Sequence, residues 1–396
     1  MKVTLVSSSS GSRGGGEFYL VGLGKGLADL GHSVEVVVSE HSGMDGMVEL
    51  CHASQLPVQR IQYVNTYHRR LRSLQAVTDR RGIRRLSDFL SRLDTDVIHL
   101  NHQNTEDGLD LAIAGNDCRR PCVSTVHVTR SMAALKAAGG RFRDAIARRI
   151  WRRTGIPVIG ISNVSAIDFS EYVGVGSLSS PGGDAGAGQR VYSVANGVTL
   201  PGQHDAEALR REWGVRKNDI VLGCIARLED QKNPLFITTL LPRLPDHVKI
   251  VWVGDGRLRQ QLESSLNQSG LESRVVLDGW QADASARLAG FDIFILPSLY
   301  EGLPLAMLEA MAAGLPCVVS NVDGTRDAIR DGETGYLCSV NDINAWTSSL
   351  MSLIEDEEAR KRVGNCAQAA HRESFSVKAM AERTVAVYED VIRLFR

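Results

Sequence analysis

Short β-branched runs and longer helical stretches alternate along this chain, and the alternation runs twice. The first cycle opens with Val3–Ser7 and a Gly/Ser loop. A helix then runs from about Gly16 to Leu30, where Gly31 stops it, and a second strand follows at Ser33–Ser39. Further strand-like runs lie at Asp96–Leu100, Cys122–His127 and Val158–Ser162. After residues 192–198 the cycle restarts with Ile220–Ile225, Lys249–Val253, Arg274–Leu277, Phe291–Leu296 and Pro316–Ser320. Helical spacing marks the last segment, Lys378–Phe395. Strands that alternate with helices pair in parallel and are covered by those helices, so the expected class is α/β. A chain of 396 residues exceeds what one hydrophobic core supports, which makes two domains the expectation, divided near 198–205. The segment Gly174–Gly188, rich in Ser, Gly and Pro, reads as a mobile surface loop.

Charged residues are 23% of the chain and the net charge is −1, a balance unsuited to binding nucleic acid. Seven cysteines, an odd number without a C-x-x-C pair, argue against a disulfide framework or a zinc site and for small buried filler. Lys2–Val6 is too short for a signal peptide, and no run approaches the ~20 apolar residues of a membrane span. A cytoplasmic protein is expected, with contact to the inner membrane face as the alternative.

Glu301-Gly302-Leu303-Pro304-Leu305 leaves an apolar strand and turns into a helix that carries Glu309, so seven residues separate two carboxylates. Pro304 suits a first helical turn, where its missing N–H costs nothing. Free amides at such a helix start favour a phosphate, and the two glutamates are placed to accept hydrogen bonds from hydroxyls. Ordinary capping explains the same residues equally well. Upstream, Arg227 and Lys232 follow the strand Ile220–Ile225, where a guanidinium fork and a point charge could stabilise a departing diphosphate or simply be solvated.

The word from Glu301 to Glu309 resembles the E-x7-E signature of the retaining glycosyltransferases of family 4. Other words of that family stand in order around it. Gly223 to Pro234 resembles G-R-L-x-x-x-K-G, with Asn233 where Gly is usual, and Asp323–Asp327 resembles G-G-x-x-E with Asp327 in place of Glu. Val253-Gly254-Asp255-Gly256, Leu277–Trp280 and Gly332–Leu337 are also family-like. The resemblance implies a GT-B fold, two Rossmann-like domains (1–198 and 199–379) facing across a cleft, with 380–396 crossing back to the first. It implies a nucleotide-sugar donor, UDP-linked, held mainly by the second domain. Arg227 and Lys232 would neutralise the β-phosphate, Glu309 would hold the ribose and Glu301 the sugar hydroxyls. Gly254, Trp280, Gly302, Leu303, Pro304 and Leu305 would border the donor. Trp280 reads first as a packed residue at a strand end, and base stacking is its alternative. Gly14-Gly15-Gly16-Glu17 resembles the family's G-G-x-E loop, in which Gly15 and Gly16 approach the donor and Glu17 the acceptor. Gly22, Gly24 and Gly26, inside the helix, read as packing residues. His127 aligns with the histidine beside the donor sugar. Transfer would retain anomeric configuration, with the departing phosphate taking the acceptor proton. No cofactor is implied, since the nucleotide-sugar is a co-substrate.

Asp94-Thr95-Asp96 spells D-x-D but precedes a strand, the wrong end for an active site in a parallel sheet, so no metal is expected. Two features bear on the acceptor. His99–Gly108, following a strand, is dense in hydrogen-bonding groups. His102, Asn104, Glu106 and Asp107 are candidates there for a small polar acceptor such as an aminocyclitol, with helix capping as the other reading. From Arg60 to Arg153, 19 Lys/Arg face 9 Asp/Glu, and 141–153 reads as a basic amphipathic helix. That pattern suits an enzyme acting on an anionic lipid, or a helix with one solvated basic side. A non-catalytic sugar-nucleotide-binding module is the alternative from another class, and the oligomeric state is not encoded in any motif.

Overall fold

Each run of the alternation closes into its own parallel sheet. The computed structural model describes residues 1–9, 15–183, 189–340 and 342–396. Met1–Gly197 with Val377–Arg396 forms one compact unit, and Val198–Ser376 forms the other.

The first unit holds seven strands: β1 (Lys2–Ser7), β2 (Ser33–Ser39), β3 (Val58–Ile61), β4 (Val97–Asn104), β5 (Cys122–Val128), β6 (Val158–Gly160) and β7 (Val191–Ser193). Their order is β3-β2-β1-β4-β5-β6-β7. β1 sits centrally, with Val3 opposite Val34 on one side and Val97 on the other. The helices that bear on function here are α1 (Gly15–Asp29), α2 (Arg72–Thr78), α3 (Arg80–Arg92), α4 (Leu109–Asp117) and α5 (Gly140–Thr154). Side chains alternate across the sheet. Val3 and Leu5 join Leu20, Leu23 and Leu27 of α1 on one face, while Val6, Ile98 and Leu100 join Leu86 and Leu90 of α3 and Trp151 of α5 on the other. Each fully buried Leu contributes about 1.5–3 kcal/mol of transfer free energy, so both faces are needed to hold the sheet.

The second unit holds six strands: β8 (Ile220–Ile225), β9 (Val248–Val253), β10 (Val275–Gly279), β11 (Ile293–Leu296), β12 (Cys317–Ser320) and β13 (Tyr336–Cys338). They are ordered β10-β9-β8-β11-β12-β13, again parallel. Helix α6 (Leu305–Ala312) follows β11. The terminal helix α7 (Val377–Phe395) belongs to the first unit, where Met380 and Tyr388 enter the core beside α1. Among the three glycines inside α1, the packing reading fits two. A Cβ on Gly26 would come 2.7 Å from Val377 Cγ1, and one on Gly24 would come 2.8 Å from Leu56 Cδ1, whereas Gly22 has ordinary room. The loop after Val173 is tied down where it is described: Ser179 N donates to Val191 O and Gly182 N to Asp390 Oδ1. Residues 184–188 of that loop and Gly14 lie outside the described residues.

Candidate functional site

In a parallel sheet every strand delivers its following loop to the same edge, so the loops after β8, β9, β10 and β11 share one edge of the second unit. Two of the sequence words meet there directly. Lys232 Nζ pairs with Glu301 Oε1 at 2.5 Å, and Ser298 Oγ donates to the same oxygen at 2.5 Å. The backbone laces the two segments as well, through Leu299 N to Gln231 O and Gln231 Nε2 to Tyr300 O. Asn233, standing where glycine is usual, has φ +51°, a left-handed conformation that Asn adopts more readily than most residues.

The neighbouring words are held by close backbone approach. Gly254 has φ +133°, and a Cβ there would lie 2.2 Å from Ala226 O. A Cβ on Gly324 would fall 1.6 Å from Gly302 O, so the 323–327 turn fits against the 301–304 loop only with glycine at that place. Pro304 occupies the N-cap of α6 in extended geometry (φ −73°, ψ 116°), one position before the expected first turn. No side chain caps this helix, so its first amides are open to an anion. Arg227 is exposed after β8 and has no ion-pair partner among the described residues. Glu309 lies on α6, and burial, with Asp283 adding repulsion, pushes its carboxyl up to about 7.

Trp280 corrects the packing expectation. It follows β10 and is 64% exposed, at the loop edge that β8, β9 and β11 share.

In the first unit β4 runs on to Asn104, so His102 and Asn104 are strand residues and not part of a loop following a strand at 96–100. Asn101, which sequence reasoning passed over, organises the edge. Its Nδ2 donates to Gly16 O at 3.1 Å, which leaves Oδ1 to accept from His127 Nε2 at 2.8 Å. That orientation fixes the tautomer of His127 and leaves Nδ1 as its acceptor. Burial, with His102 adding to it, pushes His127 down to about 3, so the imidazole is neutral. Tyr19 packs edge-on against it at 4.8 Å. The sequence signal for Asn101 is its place directly after the alternating Val-Ile-His-Leu run, where a polar residue that continues a buried strand needs a buried partner.

The acidic acceptor candidates are engaged within the fold. Glu106 is 1% exposed and accepts from Arg143 through both oxygens, with Nε at 2.7 Å, while Arg72 lies 4.0 Å away. Asp107 is fully buried and accepts from Ser8 Oγ at 2.5 Å and Gln103 N at 3.2 Å. Glu17, also buried, accepts from Ser9 Oγ and from Gln103 Nε2 at 3.2 Å. His102 packs on Trp151 with its Nδ1 2.8 Å from Asp107 O, and Asn104 Nδ2 donates to the Tyr67 hydroxyl. Glu106 is thus committed to a two-point arginine pair, and Asp107 is enclosed with Oδ1 unpartnered among the described residues, so neither carboxylate stands exposed to an ammonium group. Gly15 opens α1 in an exposed position, with Gly16 buried behind it. Asp94 and Asp96 pair with the Lys2 side chain and backbone N–H, as turn residues do.

Residues 205–370 match the family model described as glycosyl transferases group 1, and residues 14–171 match the glycosyl transferase 4-like domain. The chain is 33% identical over 188 residues, 45% of its length, to the UDP-Gal:alpha-D-GlcNAc-diphosphoundecaprenol alpha-1,3-galactosyltransferase of Escherichia coli, covering 48% of that protein. It is 29% identical over 193 residues, 48% of its length, to the N-acetyl-alpha-D-glucosaminyl L-malate synthase of Bacillus anthracis, covering 51% of it. The chain thus spans about half the length of these two relatives. Among solved structures, Anabaena Alr3699/HepE in complex with UDP superposes with a TM-score of 0.78 at 22% identity, covering 98% of this chain and all of that one. That likeness carries the GT-B fold.

Proposed function

We propose that this chain, which belongs to the GT4-type glycosyltransferases, is an enzyme that moves a sugar from a UDP-linked donor to an acceptor hydroxyl with retention at the anomeric carbon. The observation that carries the reading is the junction of Lys232, Glu301 and Ser298 beside the uncapped start of α6. A cation, an anion seat and a hydroxyl acceptor meet within one loop edge, as a sugar diphosphate requires.

In this reading the diphosphate lies on the amides of α6, Arg227 and Lys232. The bond from the anomeric carbon to the β-phosphate oxygen breaks, and the bond to the acceptor oxygen forms on the same face. The acceptor proton passes to the departing phosphate, so no protein base is required. Glu309 accepts from the ribose hydroxyls, Glu301 orients the sugar, and Trp280 offers its exposed ring to the base. His127, neutral and held by Asn101, hydrogen-bonds a sugar hydroxyl. Arg227, Lys232 and the helix amides supply the positive charge that a metal supplies in other glycosyltransferases, so transfer is metal-independent.

The acceptor is anionic in this account. The named acceptors of the two relatives are a diphospho-lipid and L-malate, and of the acidic candidates in the first unit Glu106 is paired with Arg143 while Asp107 and Glu17 are buried. The test is a panel of UDP-sugars offered with a phosphorylated, a carboxylated and an amine-bearing acceptor, with products read by mass spectrometry. A glycosylated anionic acceptor with stoichiometric UDP supports the reading. Nucleotide binding without product under every pairing supports a non-catalytic module instead.

A further inference from the structure

The first unit carries a basic, apolar-floored groove on its outer helical layer that the donor chemistry does not use. α3, α4 and α5 line it, with a volume of about 670 Å³. Ile113 and Ile146 form its floor, and Arg80, Arg84, Arg149 and Arg153 stand along its two banks. All four arginines are exposed, and none makes an ion pair or side-chain hydrogen bond among the described residues. Asp117 is the one acid in the lining. Unpaired guanidinium groups on both banks of an apolar trough repel one another, an arrangement that an external anion relieves.

A second observation lies at one end of these helices. Arg72 of α2 and Arg143 of α5 converge on the Glu106 carboxylate, which brings their chain neighbours Leu71 and Phe142 to the same end of the layer. Leu71 and Phe142 are each 61% exposed. Large apolar side chains held in water on the layer that carries the unpaired arginines fit a partner with an apolar interior and an anionic surface.

We propose that this face, formed by α2, α3 and α5, docks the protein on an anionic phospholipid surface, with Leu71 and Phe142 entering the headgroup boundary and the four arginines meeting lipid phosphates. A bilayer satisfies both halves of the surface at once, whereas a soluble polyanion satisfies only the arginines. The proposal stands on the first unit's surface alone and does not depend on the identity of the donor or acceptor.

The test is co-sedimentation of the full chain with vesicles of phosphatidylcholine, alone or mixed with phosphatidylglycerol, at low and physiological salt. Binding is expected only with phosphatidylglycerol present, weakening as salt rises. Removing charge with Arg149→Gln and Arg153→Gln lowers the partition coefficient about fivefold per arginine. Phe142→Ser lowers it independently. Because all three side chains are exposed, the variants keep the parent's melting temperature and UDP affinity. Failure to pellet with anionic vesicles at low salt overturns the proposal, as does pelleting that the arginine pair does not change. Loss on removing the arginines with none for Phe142→Ser also overturns it, since the face then reads charge alone.

Discussion

Glu309, proposed to hold the ribose, carries a proton near neutrality that can test that role. Burial and Asp283 push its carboxyl up to about 7, so near neutrality the group is poised between a proton-bearing form and a carboxylate able to accept from two hydroxyls. If ribose binding prefers the carboxylate, nucleotide binding releases a proton. UDP affinity should then weaken as pH falls from above 7 toward 6, and Glu309→Gln should flatten that dependence. Calorimetric titration in buffers of different ionisation enthalpy reads both the affinity and the proton. The same shift acts on stability with the opposite sense. A carboxyl whose folded value is raised favours the fold at acid pH and loses that contribution as pH rises from about 4.5 through 7. Glu309→Gln should therefore melt higher than the parent at pH 8 and alike at pH 4, and equal melting at pH 8 would contradict the burial account. Trp280 gives a second residue-level test. Its ring is 64% exposed, so Trp280→Ala should leave melting unchanged while weakening UDP binding about two- to tenfold, the worth of one aromatic stack. A variant that binds UDP like the parent would remove the ring from the site.

At the scale of elements, the sequence announced the central strands and missed the margins. β8 runs over Ile220–Ile225 as its apolar run suggests, because a strand buried on both faces reads as a continuous run without charged or strongly polar residues. The strands that escaped notice are β3, β7 and β13, and each lies at an edge of its sheet. Edge strands are short and paired on one side; Val58-Gln59-Arg60-Ile61 buries only its last residue, so no apolar run marks it. The loop after β11 was legible because spacing along the chain carried it: Glu301, Gly302, Pro304 and Glu309 are local. What spacing could not carry is engagement across the fold. Glu106 and Asp107 read as free acids, since Arg143 and Ser8 lie 37 and 99 residues away in sequence. Gly324 is the element-level counterpart, a turn residue whose reason lies in another loop. Gly324→Ala must displace the backbone at Gly302. It should cost about 1–3 kcal/mol, the range for overpacking, seen as a lower urea midpoint. It should also weaken UDP binding, because the α6 seat moves with Gly302. Parental stability together with parental UDP affinity would show that the two turns are not fitted to each other.

Over the whole molecule, charge is divided between regions. Residues 60–153 hold 19 Lys/Arg and 9 Asp/Glu, leaving 26 and 37 elsewhere, so a chain of net charge −1 conceals one strongly basic segment and an acidic remainder. That segment lies in the first unit, and the residues assigned to the donor diphosphate lie in the second. The division fits a protein that meets an anionic acceptor or surface with one unit and handles the nucleotide with the other. No described helix is long and apolar enough to cross a membrane. Central to the proposed transfer is the stabilisation of a departing nucleoside diphosphate by Arg227 and Lys232. UDP release from the UDP-sugar that the parent consumes fastest, compared among the parent, Arg227→Ala and Lys232→Ala, measures that stabilisation directly. Each substitution is predicted to lower turnover by ~10²–10³, the cost of removing one preorganised charge-stabilising group. Turnover within about threefold of the parent in both variants, far short of that range, would contradict it.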